Sequence, residues 1–131
     1  MTTYQDHADV YAEPDLRIET SRVGNAVVCS LAGDLHMDNE EPVRDALARA
    51  LDQAPGLLAV EMSAVTLLTL SGLNALLTVR RRANSRSVPL VLAAPSPTAR
   101  RLLRITGTDL VLPVYPSLDQ AVRHRRPSRR V

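Results

Sequence analysis

The chain contains no phenylalanine and no tryptophan, and its only tyrosines are Tyr4, Tyr11 and Tyr115. Any core must therefore be built from aliphatic side chains. The shortage of aromatics also argues against proteins that read single strands by stacking bases on aromatic platforms. Arginine clusters alone give weak, salt-sensitive phosphate contacts, so no specific nucleic acid is expected as a partner. Lysine is absent too. All 16 basic residues are arginine, a bias that fits a GC-rich genome better than a function.

The single cysteine, Cys29, lies in the apolar run AVVCSLAG. It has no second thiol to pair with, so nothing in the chain requires an oxidising compartment. Its expected role is that of a small core residue. No apolar run approaches the ~20 residues that span a bilayer. The opening segment MTTYQDHADVYAEPD is polar and acidic, unlike a signal peptide. A cytoplasmic protein with no membrane partner is the expectation.

Catalytic signatures are missing as well. Neither GxxxxGK[ST] nor GxGxxG occurs, and there is no Gly-x-Ser-x-Gly elbow. The histidines are His7, His36 and His124. His36 with Asp34 and Asp38 offers the nearest approach to a metal cluster, but a solvated loop explains that trio better. The chain is read as a non-enzyme that needs no cofactor and no metal.

What is present suffices for one domain. The chain has 131 residues, of which 45% are hydrophobic. Charge is unevenly laid along it. Residues 1–62 hold 12 carboxylates and 4 arginines, a balance of −8, whereas residues 63–131 hold 2 carboxylates and 12 arginines, a balance of +10. Such asymmetry steers a charged partner or marks two solvated surfaces.

Periodicity gives the elements. Leu16–Thr20 alternates as a strand, Gly24-Asn25 turns, and Ala26–Leu31 forms the second strand of a hairpin. Asp38 or Asn39 can cap a first helix, with Glu40 and Glu41 at its positive end and Pro42 in its first turn. Val43, Leu47, Ala50, Leu51 and Ala54 make its apolar stripe. Leu57–Met62 reads as a central strand buried on both faces. A second helix starts near Ser71, faces inward with Leu73, Leu76, Leu77 and Ala83, and ends among Arg80, Arg81, Arg82 and Arg86.

Val88–Ala94 is a further strand. Ser96-Pro97 opens a third helix that Gly107 closes, with Ala99, Leu102, Leu103 and Thr106 inward. Leu110–Val114 reads as a short strand. Ser117 caps a last helix with Leu118, Ala121 and Val122. The order ββαβαβαβα predicts an α/β fold on a mixed, mostly parallel sheet begun by a β-hairpin. The expected division is a disordered leader over 1–14, a domain over 15–123 and a basic disordered tail over 124–131.

Four motifs follow one another in this frame. Gly33-Asp34-Leu35 ends the second strand. Val60-Glu61-Met62-Ser63-Ala64-Val65-Thr66 continues the central one. Ser71-Gly72-Leu73 opens the second helix. Ile105-Thr106-Gly107 leads to Val114-Tyr115-Pro116-Ser117 and Ala121. Together they make residues 16–123 resemble a STAS domain, the fold of anti-sigma factor antagonists and of the cytoplasmic ends of sulfate transporters.

The resemblance implies a protein that docks on an anti-sigma factor, itself a GHKL-type serine kinase, and so frees a sigma factor. In the family that kinase phosphorylates the first hydroxyl of an Asp-Ser-Ser/Thr-Gly motif, and the added charge of about −1.5 to −2 blocks docking. Here the motif reads Thr69-Leu70-Ser71-Gly72. Leucine stands at the acceptor position, Thr69 replaces the aspartate, and His36 stands where the family often has a first-loop aspartate. The resemblance thus implies docking through His36, Met37, Asp38, Leu68, Thr69, Leu70, Ser71, Gly72 and Asn74, without the usual switch.

Ser71 is expected to cap the helix, with a displaced phosphoacceptor as its sharper role; Thr69 is the other candidate acceptor. Leu70 is expected either to pack with Leu67 and Leu68 or to present an apolar docking contact. Two alternatives stay open: a scaffold or homodimer within a signalling complex, and a module sensing a small molecule or nucleotide.

Overall fold

Alternating burial along Leu16–Val23 and near-continuous burial along Ala26–Leu35 make these segments the strands β2 and β3. They pair antiparallel from Leu16 opposite Gly33 to Val23 opposite Ala26. The computed structural model describes residues 9–124. Within it, β1 (Asp9–Glu13) adds antiparallel to the free edge of β2. The leader expected over 1–14 is therefore wrong for residues 9–13, and the observed order begins with three strands. Residues 1–8, with His7, and the tail beyond His124 lie outside the described residues.

Three parallel strands complete the sheet: β4 (Leu57–Leu68), β5 (Leu90–Ala93) and β6 (Val114–Tyr115). The six strands lie side by side in chain order, β1-β2-β3-β4-β5-β6. The sheet is mixed, antiparallel through β3 and parallel from β3 to β6. β4 runs to Leu68, well past the expected end at Met62. Two irregularities in its pairing with β3 each add a residue to β4, and Val65 and Leu68 stay buried beyond Met62. The strand expected over Leu110–Val114 is displaced: Thr108–Leu110 is a 3-10 turn, and only Val114–Tyr115 pairs with β5.

Four helices connect the strands: α1 (Glu40–Leu51), α2 (Leu70–Ser85), α3 (Pro97–Ile105) and α4 (Leu118–Val122). The larger core lies between one sheet face and α1, α2 and α3 and is mainly aliphatic, with Leu47, Leu58, Met62, Leu76, Leu92 and Leu103 among its fully buried members and the half-buried Tyr11 packed against it. A smaller cluster on the other face joins Val28, Ala59, Val91 and Ala93 to Ala121 of α4. Cys29 is buried, with its Sγ 3.6 Å from the Thr20 hydroxyl.

The helices bury slightly different stripes from those the periodicity predicts. Ala54 lies past the end of α1 and is exposed, while Ala46 joins the buried set. In α2 the inward face is completed by Ala75 and Val79, and Leu77 is half-buried. Thr106 ends α3 with its hydroxyl donating to Leu102 O at 2.8 Å. His124, expected in the tail, packs edge-on to Tyr115, and its Nδ1 shares a hydrogen bond with the tyrosine hydroxyl.

The third helix begins as its sequence dictates. Ser96 Oγ accepts from Ala99 N at 3.2 Å, and Pro97 occupies the first turn. Ser96 is itself buried, and its N–H donates to Met62 O at 3.1 Å, so the cap also ties β5 back to β4. Replacing Ser96 by alanine is expected to cost about 1 kcal/mol. Urea denaturation of the two chains side by side checks the figure.

Candidate protein-docking site

The site grows from the paired ends of two strands. Leu35 and Leu68 are partners in the β3–β4 ladder, and each is followed by a sharp change of direction. After Leu68, Thr69 turns the chain into α2. Its N–H donates to Leu35 O at 3.1 Å, and its hydroxyl donates to the same oxygen at 2.9 Å. That hydroxyl also accepts from Gly72 N at 3.4 Å. Thr69 is thus the N-cap of α2, which corrects the expectation that Ser71 would be. Threonine suits the task because its extended backbone and short oxygen satisfy a free amide of the first turn.

Gly72 sets how closely α2 approaches the sheet. A Cβ at this position would lie 2.7 Å from Leu35 Cβ and 3.1 Å from Leu35 O. Only a residue without a side chain lets the first turn of the helix rest on the end of β3.

After Leu35 the chain forms a 3-10 turn over Met37–Asn39, closed by a reciprocal capping box. Asp38 N donates to His36 Nδ1 at 3.2 Å, and His36 N donates to Asn39 Oδ1 at 3.0 Å. Asn39 is buried, and its Nδ2 donates to Asp34 O at 2.7 Å. Because His36 Nδ1 accepts, its proton in the neutral ring sits on Nε2. That nitrogen faces Asp15 Oδ2 at 3.6 Å. The expectation that Asp38 or Asn39 would cap α1 is not met by a side chain: Asn39 holds the N-cap position without a side-chain cap bond, and the 3-10 turn leads directly into the helix.

Asp15 is a member of this frame that the sequence reading missed. Its carbonyl accepts from Asp34 N at 2.8 Å. Gly33 makes room for that contact, with φ +109 and a Cβ position only 2.1 Å from Asp15 O. The available signal was a glycine inside an apolar strand, which marks a bulge or a close backbone approach.

The two turns are then joined across the helices. Asn74 Nδ2 on α2 donates to Glu40 Oε2 on α1 at 2.8 Å, and Arg44 donates to the same oxygen at 3.2 Å. On the frame so built, Met37 is 74% exposed and Leu70 is 68% exposed. The alternative that Leu70 packs with Leu68 is overturned. Leu68 and Gly72 are buried and shape the surface from beneath, out of a partner's reach. Asp38 and Asn74 are exposed, while His36, Thr69 and Ser71 are half-buried. Among the described residues, the Ser71 hydroxyl enters no hydrogen bond.

No group of three or more His, Cys, Asp or Glu among the described residues is arranged to hold a metal ion, the His36 trio included. No described helix is long and apolar enough to cross a membrane. The site offers two exposed aliphatic side chains on a rigid support, with polar groups around them. That arrangement suits docking of a protein surface better than chemistry on a small molecule.

Comparisons with known proteins agree on the architecture. The family model described as STAS domain matches residues 17–121. A Mycobacterium tuberculosis protein that carries the name anti-anti-sigma factor is 28% identical over 109 residues, covering 82% of this chain and 74% of that one. The crystal structure of an anti-sigma factor antagonist from Mycobacterium paratuberculosis superimposes with a TM-score of 0.71 at 23% identity, over 93% of this chain and 97% of the other. The Bacillus protein SpoIIAA superimposes in its phosphorylated form with a TM-score of 0.63 at 20% identity, over 81% and 96% of the two chains. In its unphosphorylated form, where it is called an anti-sigma factor antagonist, the TM-score is 0.68 at 21% identity, over 80% and 92%.

Proposed function

The chain belongs to the STAS domain family, and on that premise we propose that it is an anti-sigma factor antagonist whose docking is not switched by phosphorylation at the usual place. It acts in the cytoplasm by binding, without catalysis. Its partner is an anti-sigma factor of the GHKL-type kinase class, and docking releases the sigma factor that this partner holds.

The observation that carries the reading is Leu70, exposed on the first turn of α2. An aliphatic side chain at this point gains by being covered, at roughly 25 cal/mol per Å² of apolar area. It has no hydroxyl to modify. The neighbouring hydroxyls are poor substitutes. Thr69 Oγ1 is committed to Leu35 O and to the cap of α2, so phosphate there would dismantle the helix start. Ser71 is half-buried within the first turn. Met37, from the neighbouring 3-10 turn, extends the apolar surface with a side chain that adapts to irregular partners.

Titration of the chain into GHKL-type anti-sigma proteins, with and without ATP, tests the reading. Tight binding that ATP leaves unchanged is expected. Binding that ATP destroys, with phosphate on Ser71 or Thr69, would restore the ordinary switch at a shifted residue. A Leu70→Ser chain should acquire the switch. It keeps binding without ATP, and with ATP it gains phosphate at residue 70 and loses affinity. Mass spectrometry of the reacted chain identifies the site.

A further inference from the structure

α2 begins at the docking surface and ends at the opposite end of the molecule. Arg80 lies ten residues beyond Leu70, about 15 Å further along the helix. There its Nε donates to Val111 O at 3.1 Å, which ties α2 to the segment that follows α3. That segment carries aliphatic side chains that nothing in the described fold covers. Ile105, at the end of α3, is 70% exposed. Leu110 and Val111, in and after the 3-10 turn Thr108–Leu110, are 86% and 47% exposed. Leu110 lies over Gly107, with its Cδ1 3.8 Å from where a Cβ on that glycine would stand. Hydrogen bonds hold the segment in shape: Leu110 N donates to Gly107 O at 3.0 Å, and the Thr106 and Thr108 hydroxyls share one at 2.8 Å. Exposed aliphatic side chains gathered on a fixed support mark an interaction surface.

The charge around this segment is basic. Arg101 and Ile105 stand four positions apart and so share one face of α3. Arg100 and Arg104 line a depression with Asp109, the one carboxylate in residues 63–118. Among the described residues, no ion pair engages Arg80, Arg100, Arg101 or Arg104. Arg80 is half-buried, and its terminal nitrogens keep the planar fork that pairs with a carboxylate. Beside it a depression of about 330 Å³ is lined by Arg80, Asn84, Val111, Pro113 and His124, with no carboxylate among its described residues. From His124 the chain continues into seven residues that add four arginines and no acidic side chain.

We propose that this surface docks an acidic segment of another protein, which lays apolar side chains on Ile105, Leu110 and Val111 and sets a carboxylate against Arg80. Four unpaired arginines against one aspartate name the sign of the partner's charge. A second copy of this chain is a poor match, because its β1–β2 edge mixes Arg17 and Arg22 with its carboxylates. The chain's own C-terminal residues share the sign of the surface and are repelled by it. An anionic membrane or a nucleic acid would bring its phosphates against Asp109, which stands next to Leu110, whereas a protein segment can place its carboxylates away from it. Leu70 lies at the other end of α2, so the inference stands independently of the anti-sigma reading, and the two partners need not compete.

A synthetic peptide that alternates leucine pairs with glutamate and aspartate, added to the full chain, tests the proposal. In two-dimensional NMR it is expected to shift the amides of residues 105–111 and the Arg80 Nε–H, and to leave those of Met37 and Leu70 unmoved. The same peptide with arginine at each acidic position should shift none of them. Leu110→Ser, Arg80→Gln, and Arg101→Ala with Arg104→Ala should each weaken binding at least about fivefold. Leu110, Arg101 and Arg104 are exposed, so circular dichroism of those variants should match wild type. No shift at millimolar peptide overturns the proposal. So do shifts that the basic peptide reproduces, or an affinity that Leu110→Ser or the paired arginine change leaves intact. Binding of phosphatidylserine vesicles, of a single-stranded oligonucleotide or of a second copy that Leu110→Ser abolishes also overturns it, and assigns the surface to that partner.

Discussion

Replacing Leu70 by aspartate is expected to weaken docking on the anti-sigma partner by at least about 2 kcal/mol, roughly 30-fold in affinity. Two effects add. The apolar contact of an exposed leucine is lost. A carboxylate is also brought into an interface, where its desolvation costs several kcal/mol unless a partner cation meets it. Folding should move the other way or not at all. Residue 70 opens α2, and a negative charge in the first turn favours the helix by about 0.3–1 kcal/mol.

The variant thus separates binding from stability. Thermal unfolding should be unchanged or slightly improved while calorimetric affinity collapses. Affinity equal to wild type would place the docking surface elsewhere on the molecule. Leu70→Ala, which removes area without adding charge, should lie between the two.

Gly72→Val is expected to act on the frame beneath the surface. Replacing a helical glycine ordinarily helps, by up to about 1 kcal/mol for alanine. Here the new Cβ would stand 2.7 Å from Leu35 Cβ and 3.0 Å from Leu68 Cδ1. The methyl of Leu68 can swing aside, but Leu35 Cβ is fixed to the backbone of a fully buried strand residue. Overpacking of this kind costs about 1–3 kcal/mol, and valine adds two further methyl groups to place. Steric conflict outweighs propensity, so chemical denaturation should show a net loss. Because the helix start must lift off β3 to relieve the clash, the Thr69 contacts to Leu35 O lengthen. Docking should therefore weaken even where the variant remains folded. Denaturation equal to wild type would show that α2 yields at this point without cost.

Much of the fold was legible because its signals are local. Ser96-Pro97 and Ser117 begin helices where a short side-chain oxygen caps the first turn, and Ala26–Leu31 and Leu57–Met62 are short, largely apolar runs bounded by turn residues, which suits buried strands. β1 was not legible. Asp9–Glu13 has no alternation to distinguish it from coil, and it becomes a strand only because the edge of β2 offers it a hydrogen-bonding partner. The cap of α2 was likewise misread. Ser71 and Thr69 are both acceptable caps by residue type, and the choice fell to Thr69 because Leu35 O lies within reach of its hydroxyl.

The sequence by itself determined an aliphatic α/β domain, the leucine at the acceptor position and the uneven charge, since each depends on residue type and on spacing of a few positions. The tertiary structure alone decided that Leu70 is exposed while Leu68, two residues before it, is buried, and that Asp15 braces His36 and Gly33. These depend on which strand ends meet and on the order of strands in the sheet. Contacts between residues far apart in the chain settle those matters, and no local pattern carries them.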